Sequence, residues 1–100
     1  MPFFYYMPMP DLGIENSGKY PTVLTKHLVR NNTWVEEDMP IAVIESGGSC
    51  YEILTAGSGI LHKYLRNEGS VVKQGDPIAE IHADGESIPY DKPYSRGRRV

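Results

Sequence analysis

A chain of 100 residues, 40% apolar and 23% charged, has room for one small hydrophobic core and the composition of an ordinary globular domain. Its net charge of −3 gives no general attraction to nucleic acid, and its single cysteine excludes an internal disulfide framework, so a cytoplasmic protein is expected. Ten glycines and eight prolines point to many turns and hence to an all-β chain.

The first ten residues, MPFFYYMPMP, are apolar but carry no basic flank and are interrupted by Pro2, Pro8 and Pro10. Neither a leader peptide nor a membrane span, which needs about 20 apolar residues, is expected from them. Residues 3–7 suit a short first strand with two aromatics on each face. One face belongs to the core. The other, with Met1, Met7 and Met9, is expected to be an apolar surface for a partner or a second copy, with Phe4, Tyr5 and Tyr6 as contact residues.

Residues 11–21 cluster Asp, Gly, Asn, Ser and Pro and read as a loop. Residues 22–29 (TVLTKHLV) form a strand, 30–33 a turn, 34–35 a short extended piece, 36–40 a turn and 41–45 (IAVIE) a strand. Gly47-Gly48 then suits a two-residue hairpin, since both positions tolerate positive φ. Strands follow at 50–54, 60–65 and 78–83, and Asp84-Gly85 is a second turn signal. Residues 87–100, rich in Pro and Arg, read as a flexible tail after a domain ending at 86; its basic residues would suit an acidic surface only as a lesser reading.

A repeat underlies this list. Shifted by 37 residues, TVLTKHLVRNNTWVEEDMPIAVI (22–44) overlays GILHKYLRNEGSVVKQGDPIAEI (59–81) without a gap and with eight identities in 23 positions. The identities fall mainly on apolar and proline positions. One half cannot cover both of its faces, whereas two halves packed together can. The expected architecture is therefore a flattened β-barrel or sandwich of two halves related by a pseudo-two-fold axis.

Residues 68–81 (EGSVVKQGDPIAEI), the opening MPDLG (9–13) and, more loosely, WVEEDMPI (34–41) resemble the lipoyl and biotinyl carrier domains, the barrel-sandwich hybrid family of acyltransferases and carboxylases. The likeness runs over about residues 3–86. It implies that the first hairpin tip carries a lysine bearing lipoate or biotin as an amide. Here Glu45 and Ser46 match the lipoyl form, but the tip continues Gly47-Gly48-Ser49, and Gly48 stands at the position the resemblance assigns to the lysine. Glycine supplies no amine, and the five lysines (19, 26, 63, 73 and 92) lie elsewhere. The resemblance thus implies a scaffold or interaction module with a vacant attachment position, no cofactor and a protein partner. The alternative is a carrier-type subunit of such a complex, with lipoate or biotin on another residue or chain.

Other chemistry is sparse. Cys50, near the tip, has no neighbouring His or Lys in sequence to activate it and reads as an ordinary small side chain, with partner contact as a second reading. His27, His62 and His82 lack the spacing of a recognised ligand set, so no metal site is expected, and His27 reads as a packed histidine. Glu36, Glu37 and Asp38 read as solvated turn acids and Asp76 as a turn former. No nucleophile–base pair or phosphate loop suggests a catalyst. The short connection between the strands at 41 and 60 argues against a secretion-system adaptor built on the same fold.

Overall fold

The computed structural model describes residues 3–12, 21–83 and 95–100. Eight strands lie in two four-stranded sheets, and no described residue is helical, so none of them forms a helix able to cross a membrane. They are β1 (Phe3–Pro8), β2 (Val23–His27), β3 (Thr33–Val35), β4 (Pro40–Ser46), β5 (Ser49–Leu54), β6 (Gly59–Tyr64), β7 (Pro77–Ala83) and β8 (Arg96–Arg99). One sheet runs β1-β7-β6-β3, the other β2-β4-β5-β8, and all the pairings are antiparallel. The all-β, two-sheet architecture matches the sequence expectation. The Asp84-Gly85 turn, most of the loop at 11–21 and the first part of the tail lie outside the described residues.

Period-two patterning explains which side chains go inside. Ile44 and Ser46 of β4 and Ile81 of β7 point inward, with both isoleucines fully buried. Adjacent Ile41 and Ala42 are both buried, because the register with β5 shifts between Pro40 and Ala42 and turns two successive side chains to the core. Ile78 and Ala79 do the same opposite a shift in β1 between Met7 and Pro8. Tyr5, Met7, Met9, Leu24, Val35, Ile53, Leu61 and Val72 complete the cluster. Each such side chain removed from water contributes about 1.5–3 kcal/mol.

The repeat is geometric as well as sequential. Shifted by 37 residues, Pro40–Ser46 falls on Pro77–Ala83, and β2 falls on residues 60–64 of β6. The register break between Leu24 and Lys26 recurs between Leu61 and Lys63. Asn32 and Asp38 have φ of 63° and 65°, and their counterparts Gly69 and Gly75 have 91° and 90°. Asn and Asp are the side chains that best tolerate this left-handed region, so both halves keep the same turns with different residues. Each half reaches into the other at the equivalent place: Trp34 of β3 lies opposite Ile60, and Val71 makes an isolated bridge to Val23. The halves are therefore interlocked.

Two sequence expectations change. Tyr5, Met7 and Met9 are buried, and Phe4 and Tyr6 are the exposed aromatics of β1; FFYYM carries apolar groups on both faces, and only packing decides which turns in. Residues 96–99, expected in a flexible tail, form β8 on the edge of β5. The strand is held by backbone pairing, by Arg98 on Glu52 (Nη2–Oε1 2.5 Å) and by Arg96 on Asp38. Buried Ser95 donates from its hydroxyl to the Pro8 carbonyl.

Candidate functional site

The β4–β5 hairpin is the most distinctive feature at one end of the molecule. Glu45 pairs with Cys50 and Ser46 with Ser49, leaving Gly47 and Gly48 as a two-residue loop with φ of 57° and 84°. These are the angles of a type I′ turn, which matches the twist of the strands it joins. Ser46 is buried and accepts a hydrogen bond from Thr22 Oγ1 at 3.2 Å, fixing the base of the hairpin. A Cβ at Gly48 would meet nothing within 4 Å, so that position faces open space. β8 braces the other side: Val100 N–H donates to the Cys50 carbonyl at 2.9 Å and Arg99 Nη2 to Ser49 Oγ at 3.2 Å. Cys50 itself is exposed.

No lysine stands in this turn. Lys26 and Lys73 are exposed elsewhere, on β2 and in the turn before β7. Lys63 lies on β6, with Nζ 4.0 Å from Glu80 Oε2. Lys19 and Lys92 lie outside the described residues. The residues of the turn therefore do not fit an amide-linked biotinyl or lipoyl group.

The acids at 36–38 serve the structure rather than a cleft. Glu36 accepts from Trp34 Nε1 at 2.8 Å and from Ser58 Oγ at 3.1 Å, and Asp38 holds Arg96. The Asp76 carboxylate accepts the Lys73 N–H at 2.9 Å, closing its turn. His27 stacks on Tyr64 with ring centroids 3.7 Å apart and planes 4° from parallel, and its Nε2–H donates to the Arg66 carbonyl at 2.9 Å. His27 and Tyr64 are repeat equivalents, so the two halves meet here through the same position. The Tyr64 hydroxyl shares its proton between the Ile41 carbonyl at 2.7 Å and the Val29 carbonyl at 2.9 Å. Burial raises the pKa of Tyr64, an effect partly offset by its bond to Val29. Burial likewise raises that of Tyr5, whose hydroxyl lies near the Gly57 backbone without closing a hydrogen bond of normal geometry.

The other surface of note is the outer face of the first sheet. Phe4, His82, Ile60 and Trp34 lie on one rung across its four strands, and Tyr6, Glu80 and Lys63 on the next but one. Phe4, Tyr6, Trp34 and Ile60 are exposed there. The sequence singled out Phe4 and Tyr6 but missed Trp34 and Ile60, whose meeting depends on strand order. His62 and His82 come together on this face, while His27 lies apart.

The family model described as "Biotin-requiring enzyme", Biotin_lipoyl, matches residues 6–81, and the chain belongs to this biotinyl/lipoyl domain family. It is 30% identical over 67 residues to acetyl-CoA carboxylase 1 of Arabidopsis thaliana and 33% over 67 residues to acetyl-CoA carboxylase 2 of Oryza sativa subsp. japonica. Each alignment covers 67% of this chain and 3% of the relative. It is also 30% identical over 83 residues to the dihydrolipoyllysine-residue acetyltransferase component of the pyruvate dehydrogenase complex of Staphylococcus epidermidis, covering 82% of this chain and 18% of that protein. The chain thus spans a small part of the curated relatives it matches. No solved structure gives a significant match.

Proposed function

We propose that the chain is a non-catalytic interaction or scaffold module that keeps the biotinyl/lipoyl fold without a lysine-borne cofactor. The observation that carries this reading is the β4–β5 turn, where Gly47 and Gly48 occupy both loop positions and Gly48 stands where the family resemblance puts the attachment lysine. An amide to biotin or lipoate needs a primary amine there, and glycine has none. The fold around the turn is intact, so what is lost is one side chain rather than the scaffold. Relatives named as a carboxylase and as the acetyltransferase component of a pyruvate dehydrogenase complex favour a protein partner from an assembly of that kind. The second reading, a carrier-type subunit with its cofactor on another residue or chain, rests on the same relatives. A single cysteine suits a cytoplasmic setting.

Intact-mass measurement of the chain taken from its own cells tests the first reading. The mass of the bare chain is expected. An added biotinyl or lipoyl group would overturn it, and mapping the group would identify the residue that carries it. As a companion, the double variant Gly47→Asp with Gly48→Lys restores an amine at a tip that faces open space. Its modification by a biotin or lipoate ligase is expected; refusal by a folded variant would mean that the surface around the turn has diverged as well.

A further inference from the structure

The outer face of the first sheet carries a second site, unrelated to the hairpin. The register between β6 and β7 steps from Leu61↔Ile81 to Lys63↔Glu80 and leaves His62 unpaired. A bulged residue is turned out of the ladder, and bulges commonly re-aim a side chain. His62 here comes against His82, their rings stacked with centroids 4.5 Å apart. Glu80 and His82, two residues apart on one strand, share that face. The donor atoms of His62, Glu80 and His82 all lie within 4.8 Å of one another.

We propose that His62, Glu80 and His82 bind one divalent first-row transition-metal ion of the zinc class. Two imidazoles and one carboxylate are an established donor set for such ions, with the remaining positions open to water or a ligand. His82 Nε2 and Glu80 Oε1 are 3.3 Å apart, about the edge of a tetrahedron whose metal–ligand bonds are about 2.0–2.1 Å. His82 Nε2 is buried and has no hydrogen-bond partner among the described residues. A ring nitrogen in that position is normally satisfied, and a metal ion would satisfy it. The Glu80 side chain is only 13% exposed, so its charge acts on an ion with little screening by water. Lys63 approaches the other carboxylate oxygen, Oε2, at 4.0 Å, which leaves Oε1 turned to His82. Phe4 walls the site, its ring 6.0 Å from that of His82.

The repeat supplies an internal control. The equivalent positions of the first half are Thr25, Val43 and Glu45. The bulge is present there too, but the imidazoles are not. The donor set is therefore not a by-product of the fold.

The test is a titration of the tag-free full chain with zinc chloride, followed by calorimetry and equilibrium dialysis. One ion per chain is expected, with affinity reduced about tenfold or more in His62→Ala, His82→Ala and the near-isosteric Glu80→Gln. His27→Ala should bind as the parent does. Zinc should also move the imidazole proton resonances of His62 and His82 but not those of His27, a readout that needs no variant to fold. No stoichiometric binding, binding unchanged in all three variants, or resonance shifts spread equally over the three histidines would each overturn the proposal.

Discussion

The two halves of this chain agree at the buried positions of their paired strands and differ at most positions that face out, the exposed pair Lys26 and Lys63 aside. Ile41, Ala42 and Ile44 recur as Ile78, Ala79 and Ile81, all of them fully buried. The left-handed turn positions recur too, filled by Asn32 and Asp38 in one half and by glycines in the other. On the outer faces the halves part: Thr25, Val43 and Glu45 stand where the second half has His62, Glu80 and His82. The strands that follow the same logic differ in the same way. β1 pairs with β7 as β5 pairs with β4, yet β5 is covered on its far side by β8, while among the described residues β1 is a sheet edge. The core and the turns hold the repeat because packing and backbone geometry admit few substitutes, while the surface was free to acquire separate features on each half.

The largest effect should come from the core. Ile44→Ala and Ile81→Ala remove equivalent, fully buried side chains. Each is expected to cost about 2–5 kcal/mol in urea unfolding, with similar values for the two. A difference well beyond the scatter between measurements would break the equivalence of the halves.

A middle-sized effect is expected at the pseudo-axis, where the equivalents His27 and Tyr64 differ. Tyr64→Phe leaves the Val29 and Ile41 carbonyls without their hydroxyl donor and should cost about 1–3 kcal/mol. The same residue sets an alkaline limit. Burial raises the pKa of Tyr64 and Tyr5 above the ordinary value of 10.0, so the protonated phenols favour the folded state. Stability from this source is fully present below pH 10 and declines as pH rises beyond it, since the unfolded chain releases the protons first. Melting temperature followed from pH 8 to 11 should fall at the alkaline end, and less steeply in Tyr64→Phe; a parallel fall in both proteins would remove Tyr64 from the account.

The smallest effect on stability belongs to the outer surface. Phe4→Ser replaces a side chain that is 58% exposed and should change stability by no more than about 0.5 kcal/mol. Its effect should appear in association instead. If the open β1 edge and its exposed aromatics join two copies, the parent elutes as a dimer that the variant disperses. Identical elution of the two would remove β1 as an association edge between copies.

How much of this was legible in the sequence depends on whether a side chain or a neighbour decides. The strands at 41–45, 60–65 and 78–83 and the Gly47-Gly48 hairpin are written in apolar spacing and turn residues, and they stand where expected. The inward choice of Tyr5 over Phe4 is not, because FFYYM satisfies either face. β8 is not, because RGRR has no apolar residue; its stability comes from the vacant edge of β5 and from Glu52 and Asp38, far away in the chain. The meeting of His62 with Glu80 and His82 depends on a bulge, and a bulge is a property of two strands together.

The exchange of backbone pairings between the halves bears on how the chain is made. Trp34 pairs with Ile60, and Val23 with Val71, so each half finds a partner only in the other. A ribosome adding about 5–20 residues each second exposes the first half for seconds before its counterpart emerges. During that interval Ile41, Ala42 and Ile44 lack the core partners Ile78, Ala79 and Ile81 that β7 brings.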